Sequence, residues 1–228
     1  MLDTIETLPI AAETGHRLAR QALQRAQGAF QKWPEGFAGF TAQILCRVDD
    51  LEARGDVRVV PGGRVEVLLE PPVLRGWASR ALQAIAHART PRFFKDGDGR
   101  FPISFEAGDV PPLTHRIRVA VGADLWRLYA LDAKGLIREQ ETAGPARQVR
   151  VYYDTLVRTS PGRVVPTRMR LLEWAVAAQT PLEAAEIEDE YHRVEHVLLP
   201  VRRRVTRIRD GAYRSLTLEL ERHVVLAK

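Results

Sequence analysis

Two stretches near the end of the chain, LLPVRRRVTRI (Leu198–Ile208) and SLTLELERHVVL (Ser215–Leu226), decide the fold. In the second, three leucines alternate with polar residues, which is typical of a β-strand with one apolar face and one solvated face. The pair Asp210-Gly211 between the two stretches is a turn signal. We therefore predict a closing β-hairpin whose apolar face packs against a core.

The same alternation recurs along the chain, separated by turn signals such as Pro61-Gly62-Gly63 and Ser160-Pro161-Gly162. This punctuation favours an antiparallel meander over a βαβ scaffold, so the predicted fold class is mainly antiparallel β with α. Further strands are predicted at Phe40–Val48, Ala53–Val60, Arg64–Leu69, Ile103–Phe105, Thr114–Val121, Leu125–Leu131, Leu136–Glu141, Val149–Thr159 and Val164–Trp174.

Two segments have helical spacing of apolar residues, an N-terminal one at Glu13–Trp33 and a second at Leu74–Arg89. The segment from Thr180 to Pro200 is ambiguous, because Thr180, Pro181 and Glu183 stand where a helix cap and first turn belong. We predict a helix at Leu182–Glu186 and a strand from about Glu188.

Length and composition are those of an ordinary globular protein: 228 residues, 45% hydrophobic and 28% charged. We predict a flexible N-terminus over residues 1–12 and one half-barrel domain over residues 13–228. The first residues show neither a basic region nor an apolar run of a secretory signal, so a soluble protein of the cytoplasm, or of a membrane periphery, is expected. Cys46 is the single cysteine and alternates with apolar residues, which predicts a buried, inert thiol.

The sharpest chemical motif is HRVEH, in which His192, Glu195 and His196 match the H-x-x-E-H pattern of inverted zinc peptidases. On a helix the two histidines would share a face and a metal ion. On a strand they would stand about 13 Å apart at about 3.3 Å per residue, too far to share an ion. A zinc hydrolase is therefore kept as a third hypothesis.

No other motif indicates catalysis. The serines lie in no nucleophile elbow, and Asp96-Gly97-Asp98-Gly99 lacks the glutamate that completes a calcium loop. We predict no catalytic residue, no metal and no cofactor, and the chain is more typical of a binding protein than of an enzyme.

The net charge is +5, and its densest part is a basic surface in the closing hairpin, formed by Arg202, Arg203, Arg204 and Arg207. Nucleic acid is not favoured as a partner, because no aromatic residues interleave with these arginines. An acidic protein or an anionic membrane surface is the alternative partner.

Aromatic and aliphatic residues are numerous enough to line a cavity. An imperfectly covered apolar sheet face is a hydrophobic binding site, with the Leu74–Arg89 helix as its cover. The predicted cavity lining consists of Phe40, Ile44, Trp77, Leu82, Ile85, Trp126 and Leu218.

Four segments of the chain resemble those of a known family. They are GFTAQI (Gly39–Ile44), VYYDT (Val151–Thr155), EDEYHRV (Glu188–Val194) and LLPVRRRVTRIRDG (Leu198–Gly211). Over roughly His16 to Leu226 the chain resembles an uncharacterised family, a domain of unknown function found mainly in oxygenic photosynthetic bacteria. More distantly it is similar to the periplasmic lipoprotein-carrier fold. The resemblance implies an unclosed, curved β-barrel with an N-terminal helix, helical lids and an apolar interior, and it supplies no active-site residues.

Three functions follow as hypotheses. The first is a non-enzymatic binding protein whose concave face holds a lipid-like or other apolar ligand. The second is a scaffold or assembly factor that docks through its arginine-rich surface. The third is the zinc hydrolase.

Overall fold

The structure, a computed structural model, describes residues 8–106, 113–177 and 180–227. These described residues include two α-helices, α1 (Leu8–Ala29) and α2 (Pro72–Arg89). The strands are β1 (Phe40–Val48), β2 (Leu51–Val60), β3 (Arg64–Leu68), β4 (Ile103–Glu106), β5 (Leu113–Ala120), β6 (Trp126–Asp132), β7 (Ile137–Ala143), β8 (Arg147–Ser160), β9 (Arg163–Ala175), β10 (Thr180–Val194), β11 (Val197–Arg209) and β12 (Ala212–Val225).

The twelve strands form one sheet in the order β3-β2-β1-β12-β11-β10-β9-β8-β7-β6-β5-β4. Neighbours whose register is defined run antiparallel, and the two terminal strands, β3 and β4, are not paired with each other. The predicted class, mainly antiparallel β with helices in an unclosed sheet, is confirmed.

The chain divides into two compact units, one of residues 1–30, 92–153 and 173–181 and the other of residues 31–91, 154–172 and 182–228. We call them unit 1 and unit 2. The single half-barrel domain over residues 13–228 stays a prediction. Residues 1–7 of the expected flexible N-terminus lie outside the described residues.

The core of unit 1 lies between α1 and strands β4 to β7. Ala19, Leu23 and Ala26 recur at helical spacing on α1 and are at most 1% exposed, against Ile117 and Leu131 of the sheet. The helix begins at Leu8 and ends at Ala29, whereas the sequence predicts Glu13 to Trp33. The observed end comes four residues earlier because the chain leaves the helix before Pro34.

The core of unit 2 lies between α2 and the strands β3, β2, β1, β12 and β11. Along β1 the even-numbered residues from Phe40 to Val48 are buried on this side, as their alternation predicts. The leucines 216, 218 and 220 of β12 are buried beside them, at 0–4% exposure. The predicted closing hairpin is confirmed, with β11 and β12 paired from Arg202 opposite Glu219 to Arg209 opposite Ala212.

The predicted helix at Leu182–Glu186 is wrong, because these residues belong to strand β10. Glu183 stands opposite Arg209, and Ile187 opposite Val205, in the ladder with β11. Pairing along the whole of β11 satisfies more backbone groups than one isolated helical turn would, so it overrides the local capping pattern.

Candidate ligand-binding site

Helix α2 presents one apolar stripe to the sheet of unit 2. Its buried residues Leu74, Ala78, Leu82 and Ile85 are at most 2% exposed, and they belong to the same core cluster as Phe40 of β1. Pro71 is the N-cap of the helix and Pro72 is its first residue, a position where a missing N–H costs nothing. A single amphipathic helix therefore covers this apolar part of the sheet.

Five of the seven predicted lining residues meet in this cluster, and they are Phe40, Ile44, Leu82, Ile85 and Leu218. Trp77 is partly buried and packs against it. Trp126 lies in β6 of unit 1, where Arg118 stacks at 4.8 Å from its ring centroid. Whether these residues hold a ligand stays a prediction.

Cys46 lies under α2 and is fully buried. Its Sγ atom is 3.9 Å from the carbonyl oxygen of Leu74, at the start of the helix stripe. Burial raises the pKa of the Cys46 thiol to about 11, so the thiolate is disfavoured and the group is chemically inert while α2 is in place.

A buried polar cluster borders the apolar site where β10 and β11 meet α2. Arg203 donates two hydrogen bonds of 2.6 Å to the two carboxylate oxygens of Asp189, with side chains 9% and 1% exposed. The hydroxyl of Tyr191 donates to the same carboxylate over 3.1 Å. Burial raises the pKa of Tyr191, and the charge of Asp189 raises it further, so this phenol stays protonated.

Arg89, the last residue of α2, lies beside this cluster and is 3% exposed. Its guanidinium stacks on Tyr191, 5.1 Å from the ring centroid, and Nη2 donates to the carbonyl of Leu198 at 3.4 Å. Nε and Nη1 are buried and have no hydrogen-bond partner within residues 8–106, 113–177 and 180–227. Burial lowers the pKa of Arg89, and Tyr191 and Asp189 only partly oppose this effect.

The sequence analysis did not select Arg89, Asp189 or Tyr191. One signal for Arg89 was available, because it continues the helix stripe one turn beyond Ile85 and Ala86. A basic residue on the buried face of an amphipathic helix is unusual enough to mark a site.

The predicted basic surface is paired within the protein. Arg202 pairs with Glu190, Arg203 with Asp189 and Arg204 with Glu188, each across the β10–β11 ladder. Arg207 pairs with Glu183 and stacks 3.8 Å from the ring centroid of Trp77. The acidic residues of β10 thus offset the charge of these arginines, and docking through them stays a prediction without a further observation in its favour.

The HRVEH segment is not helical. His192 lies in β10, while Glu195 and His196 form the turn to β11, with Glu195 at a φ of 53°. The shared helical face that the zinc hypothesis needs is absent. Across residues 8–106, 113–177 and 180–227, no three His, Cys, Asp or Glu side chains are grouped to hold a metal ion.

A second concavity lies on the opposite face of β1, β2 and β3. It has a volume of about 530 Å³ and is lined by Thr41, Gln43, Asp56, Arg58 and Leu68, among others. Leu68 is 73% exposed there. Because this surface mixes both charge signs around one exposed leucine, it is less apolar than the face under α2.

Comparison with known proteins places the chain in a family. Residues 14–223 match the family described as protein of unknown function (DUF3386), and the chain belongs to it. The family resemblance predicted from the sequence is confirmed. A search of curated proteins gave no match.

The similarity of this chain to solved structures is low. A LolA superfamily protein from Nitrosomonas europaea shares 11% identity at a TM-score of 0.38, covering 92% of this chain and 94% of that one. A putative outer membrane lipoprotein-sorting protein domain from Vibrio parahaemolyticus shares 9% sequence identity at a TM-score of 0.30. The match covers 93% of this chain and 92% of that one. A chain of the Pseudomonas aeruginosa MucA/MucB complex shares 12% sequence identity at a TM-score of 0.25. The match covers 89% of this chain and 93% of that one.

Within the part of the chain that the structure describes, no helix is long and apolar enough to cross a membrane.

Proposed function

We propose that this protein is a non-enzymatic binding protein that holds an apolar chain between helix α2 and the sheet of unit 2. The observation that carries the proposal is the continuous apolar face of β1, β2 and β12, which one amphipathic helix covers. Displacing that helix opens an apolar surface large enough to receive a chain-like ligand.

The apolar face can be covered either by α2 or by a ligand, and the energies of these two states are comparable. Burial of Leu74, Leu82 and Ile85 contributes about 1.5–3 kcal/mol for each side chain, and an acyl chain recovers about 0.8 kcal/mol per buried methylene. A chain of about ten methylenes therefore offsets the contacts that α2 gives up. Exchange between helix and ligand is energetically accessible.

The direct test is native mass spectrometry of protein purified from its own source, followed by organic extraction. A stoichiometric apolar molecule is expected. Ligand-free protein should also bind palmitate saturably, with a negative heat-capacity change that reports burial of apolar surface. A clean ligand-free mass together with no saturable binding would contradict the proposal.

Two variants locate the site. Leu82→Ala removes part of the helix contact, so opening of α2 costs about 2–5 kcal/mol less and palmitate binding should tighten. Leu68→Ser alters the concavity on the opposite face and should leave binding unchanged. The reverse pattern would place the ligand on that opposite face and refute a site under α2.

Cys46 reports the opening itself, since its Sγ atom is accessible to a thiol reagent only when α2 moves. Labelling of the ligand-free wild-type protein should be slow, and Leu82→Ala should accelerate it. Equal rates in both proteins would show that α2 does not open as a unit.

A further inference from the structure

We infer that Arg89 binds the anionic head group, a carboxylate or a phosphate, of a ligand whose apolar chain lies under α2. The inference deepens the proposed function and rests on it for the chain, while the head-group site rests on its own observations. These observations are the burial of Arg89, the two unused donors on its guanidinium and the commitment of the nearest carboxylate to other partners.

The guanidinium of Arg89 forms no ion pair with any of the residues that the structure describes. Both oxygens of Asp189 accept hydrogen bonds from Arg203, and one of them also accepts from Tyr191. The two hydrogen bonds of Arg203 are 2.6 Å long, whereas Arg89 meets Asp189 only through space. The hydrogen bonds of this carboxylate thus come from Arg203 and Tyr191, and among the described residues no carboxylate forms an ion pair with the buried charge of Arg89.

Such a charge is costly unless it is paired. A buried ion without a partner loses its hydration and gains no compensating bond, which is why buried charges in proteins are nearly always paired or bound to a ligand. The unused donors Nε and Nη1 lie on different edges of the planar guanidinium, so an oxygen of a carboxylate or phosphate can accept a hydrogen bond from either of them. The positive charge of the guanidinium favours an oxyanion over a neutral water molecule.

The position of Arg89 also suits a head group. Ala86, one turn earlier on α2, belongs to the core cluster, and the backbone N–H of Trp33 donates to the Arg89 carbonyl over 2.8 Å. Trp33 itself is in the cluster and contacts Phe40, with ring centroids 6.3 Å apart. The apolar cluster therefore reaches Arg89, so a chain in the cluster can place its charged end at the guanidinium.

The test compares three probes on ligand-free protein: palmitate, hexadecanol and inorganic phosphate. Palmitate and hexadecanol have the same chain length but differ in charge, and phosphate has the charge without a chain. Wild-type protein should bind palmitate about tenfold to a hundredfold more tightly than hexadecanol, as expected for a charge-assisted hydrogen bond in a buried site.

Arg89→Met should abolish this preference by weakening palmitate to the affinity of hexadecanol, while hexadecanol binding stays the same. Arg89→Lys keeps the charge but replaces the planar guanidinium by a single ammonium group, so it should retain only part of the preference. Arg75→Met is the matched control, because Arg75 is an exposed arginine on the same helix that pairs with Glu70 at 3.1 Å. It should behave as wild type.

The outcomes separate this inference from the proposed function. Equal binding of palmitate and hexadecanol by wild-type protein overturns the head-group site and leaves the apolar site standing. If neither long-chain probe binds, the proposed function fails. The phosphate measurement then tests by itself whether Arg89 binds an anion. A rise in Tm with phosphate that Arg89→Met removes supports an anion site, and no rise overturns it.

Folding of the variants is checked by circular dichroism and urea unfolding. Methionine is apolar and matches the aliphatic stem of arginine, so Arg89→Met should not lower stability as removal of one member of a buried ion pair would.

Discussion

Arg203 of β11 donates a hydrogen bond from Nη1 to the backbone carbonyl of Ala81 in the middle of α2, over 3.0 Å. The same guanidinium is held on its other side by Asp189. A strand arginine thus fixes the helix to the sheet through a buried polar contact, in addition to the apolar packing.

Removal of this arginine should be costly. Arg203→Met leaves the Asp189 carboxylate buried with one donor, from Tyr191, and the Ala81 carbonyl without its side-chain donor. We expect a loss of about 3–5 kcal/mol in the free energy of unfolding, measured in urea. The double variant Arg203→Met/Asp189→Leu should recover much of that loss.

Arg202→Met provides the control for the loss of an arginine from the same ladder. Arg202 pairs with Glu190 on the exposed face, with side chains 41% and 51% exposed, and the expected cost is below about 1 kcal/mol. Equal costs at positions 202 and 203 would show that burial of the pair does not determine its contribution.

His223 should make stability depend on pH. Its ring lies 5.5 Å from Phe40 between centroids, and Nε2 lies 2.9 Å from the carbonyl oxygen of Pro200. Burial lowers the pKa of His223 below its usual 6.5, an effect that the Pro200 bond opposes and the charge of His192 reinforces. The folded state therefore keeps this ring neutral at a pH where the unfolded chain binds a proton.

The unfolded state binds more protons between the two pKa values, so the free energy of unfolding rises with pH in that window. The contribution of His223 is complete above about pH 6.5 and is lost as the pH falls towards the folded pKa. His223→Gln should flatten urea midpoints between about pH 7 and pH 5. An unchanged slope would contradict the assignment, and His115→Gln, at an exposed histidine, controls for the loss of an imidazole.

Two glycine substitutions should have opposite signs. Gly39 precedes β1 with a φ of 120°, and a Cβ there would lie 2.3 Å from the carbonyl oxygen of Val59. Gly39→Ala should destabilise the protein by more than about 1 kcal/mol. Gly15 lies in α1 with open space around it, so Gly15→Ala should stabilise by about 0.5–1 kcal/mol. Thermal unfolding of the two variants measures both effects.

Asp98 should anchor α1 to the sheet of unit 1. Its carboxylate accepts hydrogen bonds from Gln27 of α1 at 2.6 Å and from the Tyr129 hydroxyl at 2.7 Å, and it pairs with Arg127. Asp98→Ala leaves the buried Tyr129 hydroxyl without an acceptor, and we expect a loss of about 3 kcal/mol.

Amide hydrogen exchange along α1 measures that loss locally, with faster exchange expected in the variant. Asp96→Ala is the control, since Asp96 is exposed in the same segment. Unchanged exchange in α1 after Asp98→Ala would show that apolar packing alone holds the helix.

The strands were predictable because alternation is a local signal. From Leu216 to Leu220, leucines alternate with polar residues, so the sequence itself indicates which face of β12 is buried. β10 was predicted only in part, because Thr180-Pro181 imitates a helix start and the competing partner, β11, lies beyond a turn. Local patterns do not contain that non-local pairing.

The pairing of the β10 carboxylates with the β11 arginines is indicated by the sequence. Four residues separate the acidic run Glu188–Glu190 from the turn at residues 195–196, and five separate that turn from the basic run Arg202–Arg204, a difference that the register shift after Glu190 absorbs. An antiparallel hairpin pairs such runs residue by residue. The apolar part of the site followed from the helix stripe, whereas Arg89 was missed because the contacts that isolate its charge come from β10 and β11.

The ends of the sheet are its shortest strands, β3 with five residues and β4 with four. An added strand from another copy would gain few backbone hydrogen bonds at either place, and Arg64 and Glu66 put charge along β3. Short, charged edge strands of this kind disfavour growth of fibres by edge-to-edge pairing. The two edges of the sheet can therefore stay unpaired without acting as templates for aggregation.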